Sequence, residues 1–243
     1  MEEISIKAEE IFHLGALPVT NTLIVSLISF SVLAILGILF RRSLSAIPGK
    51  LQNFIELSIE GLLNLVDSVL HDRHKTESYF PLIATVFLFI LISNWLGLLP
   101  GVGSFTFEEG KHTVPLFRSP ASDLNFTIAL AIISVIMTNV LGILAIGFFK
   151  HFSKFINFRG PIDFFVGILE FISELAKIIS FAFRLFGNVF AGEVLLTIMI
   201  FLLPYVVPVP FLMLEVFVGF IQAFVFTMLT IVFISIATAE HHS

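Results

Sequence analysis

From Ile162 to Leu203 the chain runs for 42 residues without a proline. As one helix this run is about 63 Å long, roughly twice the ~30 Å hydrocarbon thickness of a bilayer. Most of its residues are Phe, Leu, Ile and Val, yet Glu170, Glu174, Lys177, Arg184, Asn188 and Glu193 stand among them. A charged side chain at the bilayer centre costs at least ~2.5–3.5 kcal/mol on insertion scales. A fold of this chain therefore has to compensate Arg184 with a partner carboxylate, a water-filled cavity, or both. Two helices joined by an unmarked turn would fit the run, as would one oblique helix. Only the single glycines Gly167, Gly187 and Gly192 interrupt it, which favours the oblique helix. Ordinary tilt reaches only ~40°, so a partner surface within the membrane has to hold such a helix flatter.

Composition supports a membrane setting. The chain is 57% hydrophobic and 13% charged, with a mean hydropathy of +1.04, and such values belong to membrane proteins. It has no Cys, hence no disulfide framework. The formal net charge of −5 says less than where Lys and Arg fall. The first 18 residues are polar and Glu-rich, without the basic start and small-residue cleavage site of a signal peptide. The sequence carries no phosphate-binding loop, dinucleotide fingerprint, zinc-ligand spacing or nucleophile elbow. A soluble catalytic domain, a metal, a cofactor and a nucleic-acid partner are therefore not expected.

The fold expected is an all-α integral membrane domain over 1–243, with about five membrane helices and a surface helix. A first span covers 19–40 and ends at Arg41 and Arg42. The positive-inside rule puts Arg41 in the cytoplasm and the N-terminus outside. Residues 48–70 alternate apolar and polar positions with period 3.6, predicting an amphipathic helix on the cytoplasmic surface. HDRHKTE (71–77) reads as a loop on the same side. A second span, 80–99, ends at NWLGLLPG, with Trp95 near an interface. An external loop over 100–120 carries Glu108, Glu109, Lys111, His112 and Arg118. A third span, 122–149, is capped by Ser122 or Asp123 and ends near Lys150, His151 and Lys154. The long run 161–203 pairs with a last helix, 211–239, across the proline-rich turn 204–210. This pairing is read as a long hairpin with its C-terminus in the cytoplasm.

Helical arithmetic sorts the buried polar residues. Ser173, Lys177, Ser180, Arg184, Asn188 and Ala191 recur every three or four residues, forming one narrow stripe that lets a partner approach closely. Glu193 lies nine residues beyond Arg184, about 180° around the helix, and should face the interior. Glu215 and Gln222, seven residues apart, share a face. Glu170 and Glu174 lie on the cytoplasmic side of Arg184, and Glu193 and Glu215 near the external turn. Two wet paths with a positive barrier between them follow from this order. Glu193 and Glu215 could instead hydrogen-bond each other. Lys177 is expected to snorkel or to pair with Glu174, and Gln222 to contact Arg184. The seven His residues (13, 71, 74, 112, 151, 241 and 242) fall in expected loops or termini and read as solvated.

RLFGNVFAGE, followed by FIQAFVFTMLTIVFISIA, resembles subunit a of F-type ATP synthases, and NWLGLLPG and SPASDLNFT fit the same pattern. The resemblance covers nearly the whole chain. It implies a stationary proton-path subunit beside a rotating ring, non-catalytic on its own, in a bacterial inner membrane or alternatively a thylakoid membrane. It implies c-ring subunits, peripheral-stalk b subunits and lipid as partners. Arg184 aligns with the family's essential arginine. Asn188, Glu193 and Gln222 align with neighbouring polar positions, and Glu170, Ser173 and Lys177 with the cytoplasmic access region. Glu215 stands where members carry His or Glu, and Asp123 where they often carry an acidic or polar residue; Asp123 also reads as a simple helix cap. The rival readings are a secondary transporter and a stand-alone proton channel. Neither an internal repeat nor a paired helix interruption favours the transporter.

Overall fold

The computed structural model describes residues 9–14, 17–45, 47–99, 106–109, 112–115, 117–153, 155, 160–203 and 206–239. Lys111, Lys154, His241 and His242, named above, lie outside them, as do parts of 1–18, of 100–120 and of the turn 204–210. A hairpin of β1 (Glu10–Leu14) and β2 (Leu17–Thr20) leads into α1 (Asn21–Ser43). Then come α2 (Lys50–Leu70) and α3 (Arg73–Gly97), a second hairpin of β3 (Thr106–Glu109) and β4 (His112–Pro115), and a 3-10 turn at Pro120–Ser122. The chain ends with α4 (Leu124–Ile146), the short α5 (Phe148–Ser153), α6 (Pro161–Leu202) and α7 (Pro208–Thr238). Among the described residues, α1, α3, α4, α6 and α7 are long and apolar enough to cross a membrane. The fold is all-α, with a long C-terminal helix pair.

Two local readings are corrected. Residues 73–77 are not a loop but the first turn and more of α3. Asp72 makes the difference: its carboxylate accepts from the backbone N–H groups of His74 and Lys75, satisfying donors that a helix start leaves open. The third helix stops at Ile146 rather than 149. Gly147 has φ +88° and ψ 150°, a backbone region open essentially to glycine, and α5 folds back from this point. Within the loop over 100–120, a further detail that the sequence reading left open, β3 and β4 pair as a hairpin.

The core lies where α3, α4, α6 and α7 meet. Ile90 and Leu91 of α3, Leu130, Ala131 and Val135 of α4, Phe181, Ala182 and Leu185 of α6, and Ala223 and Phe226 of α7 form one buried cluster. The Phe181 and Phe226 rings stack with centroids 4.6 Å apart. A second cluster joins Val66 of α2 to Ile83 of α3 and to Ile231 and Ile234 of α7. The C-terminal half of the amphipathic α2 thereby docks onto the bundle, while Leu51, Phe54 and Leu57 near its start stay exposed.

α6 is a single unbroken helix of 42 residues. Its inward face uses Phe181, Ala182 and Leu185, at helical spacing. Its opposite face is mostly exposed, although Phe183, Ile179 and Ile172 there are large and apolar. Apolar side chains left open on this scale call for lipid or a protein partner.

Candidate functional site

The end of the bundle nearest the turn between α6 and α7 holds a cavity of about 240 Å³ between α3, α6, α7 and the segment before α4. Glu193 and Glu215, Arg118 and Ser119, and Asn94 are among its lining residues. Glu193 turns away from the Arg184 face, as its nine-residue spacing predicts. Its partner is Arg118, not Glu215. Arg118 Nε donates to Oε1 at 2.8 Å and Nη2 to Oε2 at 3.1 Å. Arg118 is 6% exposed, although the sequence places it in a loop. A two-pronged guanidinium–carboxylate contact of this kind fixes orientation as well as charge.

Glu215, on α7, is buried. Its carboxyl lies directly over Gly192 of α6, so closely that a methyl group there would overlap it. α3 secures this part of α7: Asn94 Nδ2 donates to the Gly219 carbonyl at 3.1 Å and Trp95 Nε1 to the Val216 carbonyl at 3.0 Å. Asn94 Oδ1 and Ser119 Oγ are buried beside the cavity without a hydrogen-bond partner among the described residues. Buried polar atoms of this kind take ordered water where a cavity has room for it. The chamber can thus hold a hydrated path leading to two carboxylates.

One helical turn beyond Arg184, Asn188 Nδ2 donates to Gln222 Oε1 of α7. The amide of Gln222 thus meets Asn188. Arg184 itself is exposed, with no hydrogen bond or ion pair to another described residue. Ser173, Ser180, Asn188 and Ala191 are exposed as well, so the stripe read from the sequence lies open on the outer face of α6.

The opposite end of the bundle carries a second polar cluster. Lys177 Nζ donates to Glu174 Oε1 at 2.8 Å, the pairing expected from their i,i+3 spacing. Asn139 of α4 donates Nδ2 to Glu174 Oε2 at 3.3 Å, and its Oδ1 lies 2.9 Å from His151 Nε2 of α5. His151 is 1% exposed, which overturns its reading as a solvated loop histidine. Gly147 is the cause, because the turn it makes brings α5 back against α4. Glu170 is half-buried and Ser173 exposed on the same half of α6.

Asp123 is buried and does not line the cavity. Its Oδ1 accepts the Asn125 N–H and its Oδ2 the hydroxyl of Thr22, at 2.9 and 3.0 Å. It caps α4 and ties it to α1. Arg118, Asn139 and His151 are the functional candidates that sequence reasoning missed. Asn139 carried the one usable signal, an amide inside an otherwise apolar run. Among the described residues no cluster of His, Asp and Glu is arranged to hold a metal ion.

Comparison with known proteins identifies relatives of the chain. A family described as ATP synthase A chain matches residues 22–235. The chain is 38% identical over 214 residues to ATP synthase subunit a 3 of Pelobacter propionicus, covering 87% of this chain and 85% of that protein. It is 37% identical over 212 residues to ATP synthase subunit a of Geobacter sulfurreducens, covering 86% and 84%. With ATP synthase subunit a of Trichlorobacter lovleyi the identity is 34% over 244 residues, covering 100% of this chain and 97% of that one.

Proposed function

The chain belongs to the ATP synthase A chain family, and from that premise we propose a division of labour among its polar residues. It is a multi-pass membrane protein, the proton-translocating subunit of an F-type ATP synthase, and a component of that complex. The transporter and stand-alone channel readings are not favoured.

The observation that carries the proposal is the exposed Arg184, unpaired among the described residues and flanked by two separate, partly buried polar clusters. A guanidinium does not deprotonate in proteins, so its charge is permanent. Its compensating carboxylate comes from outside this chain, from c-ring subunits passing along the stripe. Protons enter from outside through the cavity beside Glu193 and Glu215, with Asn188 and Gln222 bordering the approach to the ring. A ring carboxylate takes up the proton and, once neutral, can face lipid, where its ionised form could not. After rotation it releases the proton on the cytoplasmic side near Glu170 and Ser173. Arg184 lowers the pKa of the carboxylate that passes it, since a nearby opposite charge favours the ionised form. It also blocks a direct leak between the two half-channels. The membrane potential contributes ~2.3 kcal/mol per charge per 100 mV, so several protons drive each ATP.

In this arrangement α6 lies oblique to the membrane normal against the ring. The N-terminus is outside and the C-terminus cytoplasmic. Peripheral-stalk b subunits hold the chain stationary, and nucleotide chemistry is left to other subunits. Arg184→Ala in the assembled complex is expected to abolish coupled ATP synthesis in membrane vesicles. Synthesis at the wild-type rate would overturn the assignment.

A further inference from the structure

Lys177 is where the open stripe of α6 departs from its helical pattern. Ser173, Ser180, Arg184 and Asn188 are exposed, whereas the side chain of Lys177 is 19% exposed. Its ammonium is drawn inward, bonded to Glu174 at 2.8 Å and 4.8 Å from the centre of the Phe233 ring on α7. The ring face adds a cation–π attraction. Glu174 is itself restrained. The Asn139 amide nitrogen donates to Glu174 and, at 2.9 Å, to the Val135 carbonyl. Two acceptors on that side of the amide fix its orientation, so Oδ1 faces His151 and His151 Nε2 must carry a hydrogen. The His151 ring lies against Gly142, where a Cβ would come within 2.8 Å of Cε1 and 3.0 Å of the Ala237 carbonyl. Four elements, α4, α5, α6 and α7, thus converge on one lysine.

We propose that His151, Asn139 and Glu174 form a restraint that keeps a second cation off the rotor-facing stripe, with His151 and Asn139 as positioning residues for proton transfer. The proposal rests on the reading that ring carboxylates pass Arg184. Lys177 lies seven residues before Arg184, about 10.5 Å nearer the cytoplasmic end. A free ammonium there would meet the carboxylate where it exchanges its proton with the cytoplasmic path. A positive charge at ~4–6 Å lowers a carboxylate pKa by about 1–3 units, so a second cation would hold the ring in its ionised form and oppose reprotonation. Pairing with Glu174 cancels the charge, and Phe233 draws the ammonium away from the rotor. Among the described residues of α6, Arg184 is then left as the cation that the ring meets on this face.

The test uses the assembled complex in inverted membrane vesicles, with ATP-driven proton pumping read by quenching of an acridine dye. Glu174→Gln and His151→Ala are each measured with and without Lys177→Gln. Each single substitution is expected to slow pumping severalfold, Glu174→Gln the more strongly. Adding Lys177→Gln is expected to restore most of the loss in both backgrounds, because the stray cation has gone. Because removing an unpaired buried charge also relieves a purely structural defect, the thermal stability of each assembled variant is measured beside pumping: rescue of pumping at unchanged stability supports the proposal, and rescue that merely follows recovered stability overturns it. Single substitutions that pump at the wild-type rate, or double substitutions no faster than the singles, overturn the proposal. If a single variant fails to assemble, Asn139→Ala, which loosens Glu174 without removing the partner of Lys177, is read in its place: slowed pumping relieved by Lys177→Gln supports the proposal, and wild-type pumping or no relief overturns it. Arg184→Ala, run in parallel, separates the two levels: pumping that survives it refutes the motor reading itself.

Discussion

The carboxyl group of Glu215 on α7 occupies the space above Gly192 on α6 that any other residue's Cβ would fill. The outer carboxylate is therefore seated by the absence of a side chain on the neighbouring helix. Gly192→Ala should expel it from the cavity and slow ATP-driven proton pumping by about tenfold, equivalent to ~1.4 kcal/mol. Glu215→Asp, one methylene shorter, should recover part of that rate when combined with Gly192→Ala. Pumping unaffected by Gly192→Ala would show that the seat does not matter.

Arg118 is buried and its ion-pair partner Glu193 is one-third exposed, so removing one partner leaves a partly desolvated charge and costs stability, though less than the ~3–5 kcal/mol of a fully buried pair. Arg118→Gln should lower the thermal stability of the assembled complex and slow pumping together. The double change Arg118→Gln with Glu193→Gln should recover much of the stability, because no unpaired charge remains. It should not recover pumping, because the titratable group has gone. Differential scanning calorimetry of the purified complex, set beside vesicle assays, separates the two effects.

Asp123 offers a contrast. Both of its oxygens serve structural bonds, to Asn125 N–H and to Thr22. Asparagine caps helices about as well as aspartate. Asp123→Asn should therefore keep stability and pumping close to wild type, whereas Asp123→Ala should cost about 0.5–2 kcal/mol of stability. Pumping lost in the Asn variant despite full assembly would move Asp123 into the proton path.

Gly147 sets the fold-back that buries His151. Any other residue at φ +88° is strained by roughly 1–3 kcal/mol. Gly147→Ala should therefore loosen α5, which limited proteolysis of the assembled complex would detect as faster cleavage around 148–153.

The length of α6 could be read directly, because nothing in 162–203 breaks a helix. The Arg184 stripe and the opposed Glu193 were also legible, since both follow from 3.6-residue periodicity along one element. Arg118 was not. A charge in a proline- and glycine-rich loop resembles any solvated charge, and its burial arises only when the segment around Arg118 packs against α6. His151 was hidden for a similar reason. A single glycine turned an expected cytoplasmic tail into a helix packed on α4, and one-dimensional periodicity carries no trace of that contact. The start of α3 was missed because its charged first turn looks like a loop until Asp72 is recognised as the cap.

The two hydrogen bonds from Asn94 and Trp95 reach carbonyls three residues apart on α7, at Gly219 and Val216. One hook would allow α7 to pivot; two, spaced along the axis, fix its azimuth and its height together. Glu215 is the residue immediately before the first of these anchor points. It therefore behaves as a fixed post rather than a swinging arm. A swivel of α7 large enough to carry its carboxyl away from Gly192 would have to break both hooks, so in the proposed motor the moving parts on this side are the ring and the protons themselves.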